Sequence, residues 1–286
     1  SYRYDNHYVI KTSDNNFLMT GNTVGFSNSY FLLKIDQFGD SIWLKTPPYG
    51  GPTTSGQTIK ELSNGNYAVL CTELTSYQRL LLVIYNSLGD SLTSNHYGVN
   101  EDMYITNINE SNGSLFFLGV ENNSLGTYII QTDLFGDSVS CYVDTAFQIA
   151  NHNNAVCFDG GSFVIAGTTR DTSGIRHPSV EKIDTTGNIL WKVDYLQFPE
   201  SFGYELFSFL NGYVLHTISM SNGENMIRID SIGSIIWDTQ ITPGITSVIS
   251  PDNTRILVVA DAIDLYWYDS TGTYIQGQSF TLTLPG

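Results

Sequence analysis

Paired carboxylates are the first chemistry this sequence offers. Glu101 and Asp102 are adjacent, and Asp36/Asp40 and Asp133/Asp137 stand four residues apart. Such pairs suit general acid–base work, where one carboxyl holds a proton that its neighbour lacks, or oxygen ligation of calcium. For the two spaced pairs, a turn that recurs along the chain accounts for both members. Glu101/Asp102 stands outside that turn. No residue order resembles an EF-hand loop, so no cofactor is expected, and a Ca2+ ion is the one metal left open. Nucleophile elbows of the form G-x-S-x-G, the H-E-x-x-H zinc motif and Gly-rich phosphate loops are all absent. Three cysteines, Cys71, Cys141 and Cys157, match neither a zinc spacing nor a disulfide framework. Cys71 and Cys157 read as small buried residues, with a Cys141–Cys157 bridge left open.

The elements that must position these groups emerge from an internal repeat. An apolar run, Asp or Asn, two residues, Gly and a second apolar run occur at Asp36–Gly39, Asn86–Gly89 and Asp133–Gly136. The same order returns at Asp184–Gly187, Asp230–Gly233 and Asp269–Gly272, with successive starts 50, 47, 51, 46 and 39 residues apart. A second series of turns interleaves with it, including Asp14-Asn15-Asn16, Asn64-Gly65, Asn112-Gly113, Asp159-Gly160, Asn211-Gly212 and Asp252-Asn253. Asn-Gly and Asp-Gly pairs supply the positive φ of tight hairpins, and a turn Asp or Asn accepts nearby backbone N–H groups. Each unit of about 47 residues thus holds four strands, near Tyr8–Thr12, Phe17–Gly21, Tyr30–Asp36 and Ser41–Lys45 in the first. Four antiparallel strands at this period predict an all-β, six-bladed β-propeller forming one domain over residues 1–286. Its units are approximately 1–50, 51–98, 99–146, 147–196, 197–242 and 243–286. Ring closure is left open, with an extra strand from Tyr2–Asp5 on the shorter last blade as one route.

The spacing Asp36/Gly39/Trp43, Asp184/Gly187/Trp191 and Asp230/Gly233/Trp237 resembles the blade motif of quinoprotein-like propellers. That group includes pyrroloquinoline-quinone dehydrogenases and outer-membrane assembly lipoproteins. In it the motif spans the third strand, its turn and the outermost strand, and Trp docks between blades. The wording Lys34–Trp43 followed by Tyr49-Gly50-Gly51 is similar to secreted repeat propellers of Bacteroidetes. The resemblance covers all six units, although Trp is missing from the second, third and sixth. It implies a fold and an extracellular, cell-surface or periplasmic location, and it carries over no catalytic residue.

In a propeller the first strand of each blade lines the axis, so turns 1–2 and 3–4 share one face and the other connections share the opposite one. Both turn series are short here. The 2–3 loops read as longer (Asn22–Ser29, Thr72–Gln78, Val120–Gly126, Thr168–Arg176, Ile218–Glu224), as do connections such as Tyr97–Asp102, Asp144–Asn153 and Tyr195–Gly203. Long loops on a rigid scaffold are where binding residues collect. The candidates are Tyr97, Glu101, Asp102, Tyr104, His152, Arg170, Arg176, Phe198, Glu200 and Tyr204, with Tyr49 and Phe202 on the same face, a set suited to stacking on sugar rings or anchoring a protein. The expected function is a secreted or cell-surface, non-catalytic binding or scaffold module for a glycan or protein. The alternative is a propeller hydrolase or lyase with acids, Asp102 or Glu200 foremost, at the axial mouth.

Composition excludes other classes. The 286 residues carry 12 Lys+Arg against 28 Asp+Glu, a formal charge of −16. Nucleic-acid binding draws its main affinity from cations on phosphates, and anionic lipid attracts the same groups, so neither is an expected partner. No run of 18 apolar residues exists to insert in a membrane, and a monomer is expected. Seven Ala against 26 Gly and 18 Tyr disfavour helices. Eleven of the 28 acids lie in the two turn series, which makes much of the acidity scaffold chemistry.

Overall fold

The computed structural model describes residues 3–24, 29–46, 53–76, 78–97, 103–121, 127–144, 156–159, 161–219, 223–241, 244–250, 252–260 and 264–278. Among these described residues, 24 strands form six antiparallel four-stranded sheets, each in sequential order. Two compact units, Ser1–Thr145 and Ala146–Gly286, hold three sheets each.

In the first unit, sheet one comprises β1 (Arg3–Lys11), β2 (Phe17–Val24), β3 (Tyr30–Ile35) and β4 (Ser41–Lys45). Sheet two comprises β5 (Thr53–Glu61), β6 (Tyr67–Leu74), β7 (Gln78–Tyr85) and β8 (Ser91–Tyr97). Sheet three comprises β9 (Met103–Ser111), β10 (Ser114–Glu121), β11 (Thr127–Asp133) and β12 (Ser138–Asp144). In the second unit, sheet four comprises β13 (Val156–Asp159), β14 (Ser162–Arg170), β15 (Arg176–Asp184) and β16 (Ile189–Asp194). Sheet five comprises β17 (Ser201–Phe209), β18 (Gly212–Ser219), β19 (Gly223–Asp230) and β20 (Ile235–Ile241). Sheet six comprises β21 (Gly244–Ile249), β22 (Arg255–Ala260), β23 (Asp264–Asp269) and β24 (Tyr274–Gln278).

One side chain builds each third-to-fourth-strand turn. Asp36 Oδ1 accepts the N–H groups of Phe38 (2.8 Å) and Asp40 (2.9 Å), and Gly39, at φ +91°, donates to the Asp36 carbonyl at 3.2 Å. Asn86, Asp133, Asp184, Asp230 and Asp269 repeat this arrangement. The period of two then sorts each strand between neighbouring sheets. In sheet two, Tyr67, Val69, Cys71, Leu81, Val83 and Tyr85 join a core shared with Leu18 and Leu32 of sheet one. Their alternates Ala68, Leu70, Leu80, Leu82 and Ile84 join Leu115, Phe117 and Ile130 of sheet three. Central strands are therefore apolar on both faces, and truncating a fully buried member such as Leu82 to Ala costs about 2–5 kcal/mol.

Neighbouring sheets are also clasped. The Trp43 ring of β4 lies under Gly89 in the turn of sheet two, Trp191 under Gly233, and Trp237 under Gly272. Trp237 Nε1 donates to the Ser270 carbonyl at 3.0 Å. Sheet two has Thr93 where Trp would stand, and its hydroxyl donates to the Phe135 carbonyl at 2.6 Å. At the other turn, Ser13 offers N–H and hydroxyl to the two oxygens of Glu61, each at 2.7 Å, and Ser63 does the same to Glu110. Lys34 bridges Asp14 (2.7 Å) and the Tyr67 hydroxyl (2.8 Å), a pattern that Lys182, Asp159 and Tyr213 repeat in the second unit.

Two expectations need correcting. Residues 3–5 do not serve the last sheet: Arg3, Tyr4 and Asp5 pair with Val24, Thr23 and Asn22 inside sheet one, because β1 continues past a bulge at His7. The second-to-third-strand loops are not long either. Only residues 25–29, 75–77, 122–126, 171–175, 220–222 and 261–263 separate those strands, since pairing runs on and satisfies backbone groups that a loop would leave to solvent. Greater length survives only in the sheet-to-sheet connections 46–52, 145–155 and 195–200.

Candidate functional site

The end of sheets four and five opposite the tight turns gathers several of the candidate residues. Strands β14 and β15 run to a turn, residues 171–175, built like the repeat turns. Asp171 Oδ1 accepts the N–H groups of Ser173 (2.8 Å) and Ile175 (2.9 Å), and Gly174 donates to the Asp171 carbonyl at 2.9 Å. Arg170 closes this turn from outside, its Nη1 donating to the Gly174 carbonyl at 3.0 Å. His177 Nε2 lies 3.2 Å from Asp171 Oδ2. Desolvation works to raise the Asp171 pKa, but the hydrogen bonds from His177, Ile175 and Ser173 prevail and hold it below the ordinary carboxylate range.

Arg176 opens β15, and the connection 195–200 is stitched back onto that strand. Tyr195 N–H donates to the Pro178 carbonyl (2.9 Å), Phe198 N–H to Tyr195 (3.1 Å), and Glu200 N–H to the Arg176 carbonyl (2.8 Å). Tyr195 is itself buried, and its hydroxyl donates to the Gly233 carbonyl at 3.0 Å. Glu200 takes the left-handed φ of +55°, a conformation that costs a non-glycine residue of order 1 kcal/mol and is held here by its neighbours. The chain then enters β17 with Phe202 half-buried, and the Arg176 guanidinium stands 5.1 Å above its ring. Arg176, Glu200 and Phe202 thus meet through named contacts, and Phe198 sits half-exposed in the same connection.

Tyr204 follows at a bulge in β17, where Gly203 and Glu205 pair with consecutive residues of β18. Its ring meets His216 edge-on at 5.5 Å. His216 is fully buried, with Nδ1 3.3 Å from Glu205 Oε2 and Nε2 2.9 Å from Glu224 Oε2. Burial alone would lower the imidazole pKa, but the two carboxylates outweigh it and raise it. The Tyr204 hydroxyl is raised as well, by burial first and then by Glu205 and Glu224. Sequence reasoning missed this clamp because a lone His in the apolar run Tyr213–Ile218 carries no local mark of its partners. Only the pairing of His216 with Glu205 brings them together.

In the first unit, Tyr97 ends β8 buried, with its hydroxyl donating to the Gly136 carbonyl of sheet three. Burial, then Asp133 and Asp137, raise its pKa. A group that the sequence did not single out lies on the same sheet. The buried Glu73 accepts Arg79 Nε at 2.5 Å and has His96 Nε2 at 3.1 Å on the same oxygen. Tyr49, Glu101, Asp102 and His152 lie outside the described residues, as does the side chain of Tyr104, which falls on β9, and that of Cys157. Among the described residues no three His, Cys, Asp or Glu side chains are grouped to hold a metal ion. No helix among them is long and apolar enough to cross a membrane.

Chemically, the Arg176–Phe202 pair offers a planar cation over an aromatic face, with the Glu200 backbone tied to the Arg176 carbonyl. Such a group binds by stacking and by Arg donors to hydroxyl or carboxylate oxygens. The buried clamp at His216 has both ring nitrogens engaged by carboxylates.

By sequence, no known protein family matches this chain, and no curated protein does. Solved structures do match. The Dos1 propeller superimposes with a TM-score of 0.63 at 10% identity, over 99% of this chain and 75% of its own. The periplasmic gluconolactonase PpgL of Pseudomonas aeruginosa gives 0.58 at 11%, over 96% and 84%. BamB of Moraxella catarrhalis gives 0.52 at 9%, over 97% and 89%. What these proteins share with this chain is the β-propeller fold, the fold that the quinoprotein-like resemblance implies.

Proposed function

We propose that the six sheets close into one six-bladed propeller over residues 1–286, and that this propeller is a non-catalytic binding module. It works at the cell surface or outside the cell, as a monomer, and takes a glycan or protein partner on the end of the sheets that carries Arg176, Phe198, Glu200 and Phe202. The observation that carries this reading is the Arg176 guanidinium held 5.1 Å over the half-buried Phe202 ring, on a connection whose backbone is pinned to β15. A stacking platform already in place loses little conformational freedom on binding, which favours recognition. A periplasmic protein among the solved propellers of like fold supports an extracytoplasmic setting. The test is a glycan array with the intact chain, followed by calorimetry on any hit with Arg176→Ala and Phe202→Ala. Each variant is expected to weaken binding roughly tenfold, and Arg176→Ala to do so without moving the melting temperature. Full binding by both variants would place the ligand elsewhere, and turnover of a sugar or ester substrate that survives them would replace the reading with an enzyme.

A further inference from the structure

The outermost strand of every sheet carries a bulge at the same place. In β4, Ser41 and Trp43 pair with consecutive residues of β3, which leaves Ile42 unpaired. Leu92, Val139, Leu190, Ile236 and Ile275 are left out in the same way from β8, β12, β16, β20 and β24. All six are aliphatic, each three residues after the turn Gly, and all are between 43% and 61% exposed. Bulges on edge strands disrupt further strand pairing and re-aim a side chain. Here they aim a branched apolar side chain at solvent, six times out of six.

In the first unit these knobs are accompanied by a second set of exposed apolar side chains. The turn tips Phe38, Leu88 and Phe135 are exposed too, each rigidly presented by the Asp or Asn side chain that accepts its N–H group. Trp43 seats the tip of sheet two against β4, and Thr93 seats that of sheet three against β8. Asp36 and Asp40 flank Phe38, and Asp133 and Asp137 flank Phe135, while the cation Lys45 is already paired with Asp90 at 2.9 Å. The outer edge of these sheets is therefore both apolar and negative.

We propose that this outer edge of the first three sheets is a second docking surface, for a cationic protein segment that interleaves Lys or Arg with apolar side chains. Two copies of the chain, each at −16, repel one another, so charge complementarity selects a basic partner over self-association. The test uses labelled peptides of alternating Lys and Val, or Glu and Val, titrated into the intact chain at low and moderate salt. The Lys peptide is expected to bind at least tenfold tighter, with affinity falling as salt rises. The triple variant Ile42→Ser, Leu92→Ser, Val139→Ser is expected to cost tenfold or more, and Asp40→Asn with Asp137→Asn to flatten the salt dependence. Equal affinity for the two peptides, or an unchanged triple variant of normal melting temperature, overturns the proposal. Self-association that the triple variant abolishes also overturns it, and makes a second copy the occupant. Arg176→Ala, which tests the other site, is expected to leave these titrations unchanged.

Discussion

Replacing one hydrogen by a methyl group at Gly272 measures how firmly adjacent sheets are seated. Gly272 sits at φ +78°, and a Cβ there would come within 2.7, 2.8 and 3.0 Å of Trp237 Cε3, Cζ3 and Cδ2. Gly39 is its counterpart in sheet one, at φ +91° with nothing within 4 Å of the added carbon. Both changes to Ala incur the left-handed backbone penalty of about 1–2 kcal/mol, less a few tenths regained from a stiffer unfolded chain. Gly272→Ala adds an overpacking cost of about 1–3 kcal/mol, because an indole tethered by its own hydrogen bond to Ser270 cannot swing aside freely. Gly39→Ala should therefore cost about 1 kcal/mol and Gly272→Ala about 2–4 kcal/mol in urea unfolding followed by fluorescence and circular dichroism. Trp237→Leu should be less harmful in the Gly272→Ala background than in the wild type, as a double-mutant cycle would register. Equal destabilisation by the two glycine changes, or strict additivity with Trp237→Leu, would refute the docking geometry.

Three further outcomes are expected. The clamp raises the His216 pKa, so its stabilisation is complete below the unfolded value near 6.5 and is lost as pH rises through the higher folded value. Stability profiles of wild type and His216→Gln, a change expected to cost about 2–4 kcal/mol at acid pH, should accordingly converge toward alkaline pH; parallel profiles would argue against a charged imidazole. Asp159 is held below its ordinary pKa by Lys182 first and then by Tyr213, so its contribution is present above about pH 4 and disappears as pH falls through the lowered value. Asp159→Asn should cost about 0.5–1 kcal/mol at neutral pH in chemical denaturation, and nothing at a pH where the native carboxyl is protonated. Cys71 is fully buried and burial raises its pKa, so native protein should leave it unmodified by a thiol reagent that labels it after unfolding, as peptide mapping would show.

Much of the fold was legible along the chain because its rules are local. An Asp or Asn that accepts two N–H groups, and a Gly at positive φ, need only five consecutive residues, so all six repeat turns could be read directly. Strand length was less legible. Asp171–Gly174 is itself an Asp-x-x-Gly turn, but its flanks are apolar only in part, and the extra pairing of Thr169 with His177 and Arg170 with Arg176 depends on partners across the hairpin. The candidate site was legible in the same uneven way. Arg176, Phe198, Glu200 and Phe202 could be chosen from loop position and residue type, but the stacking of Arg176 on Phe202 and the hydroxyl of Tyr97 on Gly136 follow from where one sheet meets the next.

The sequence by itself determined a repeating four-stranded unit, its acidic turns and its surplus of negative charge, since these are properties of neighbouring residues and of composition. Tertiary structure alone decided that Tyr97 is buried, that His216 lies between Glu205 and Glu224, and that a bulge turns Ile42 and its five counterparts outward. The physical reason is register. A side chain's facing depends on which residue it opposes in the next strand, and one unpaired residue reverses that facing for everything beyond it.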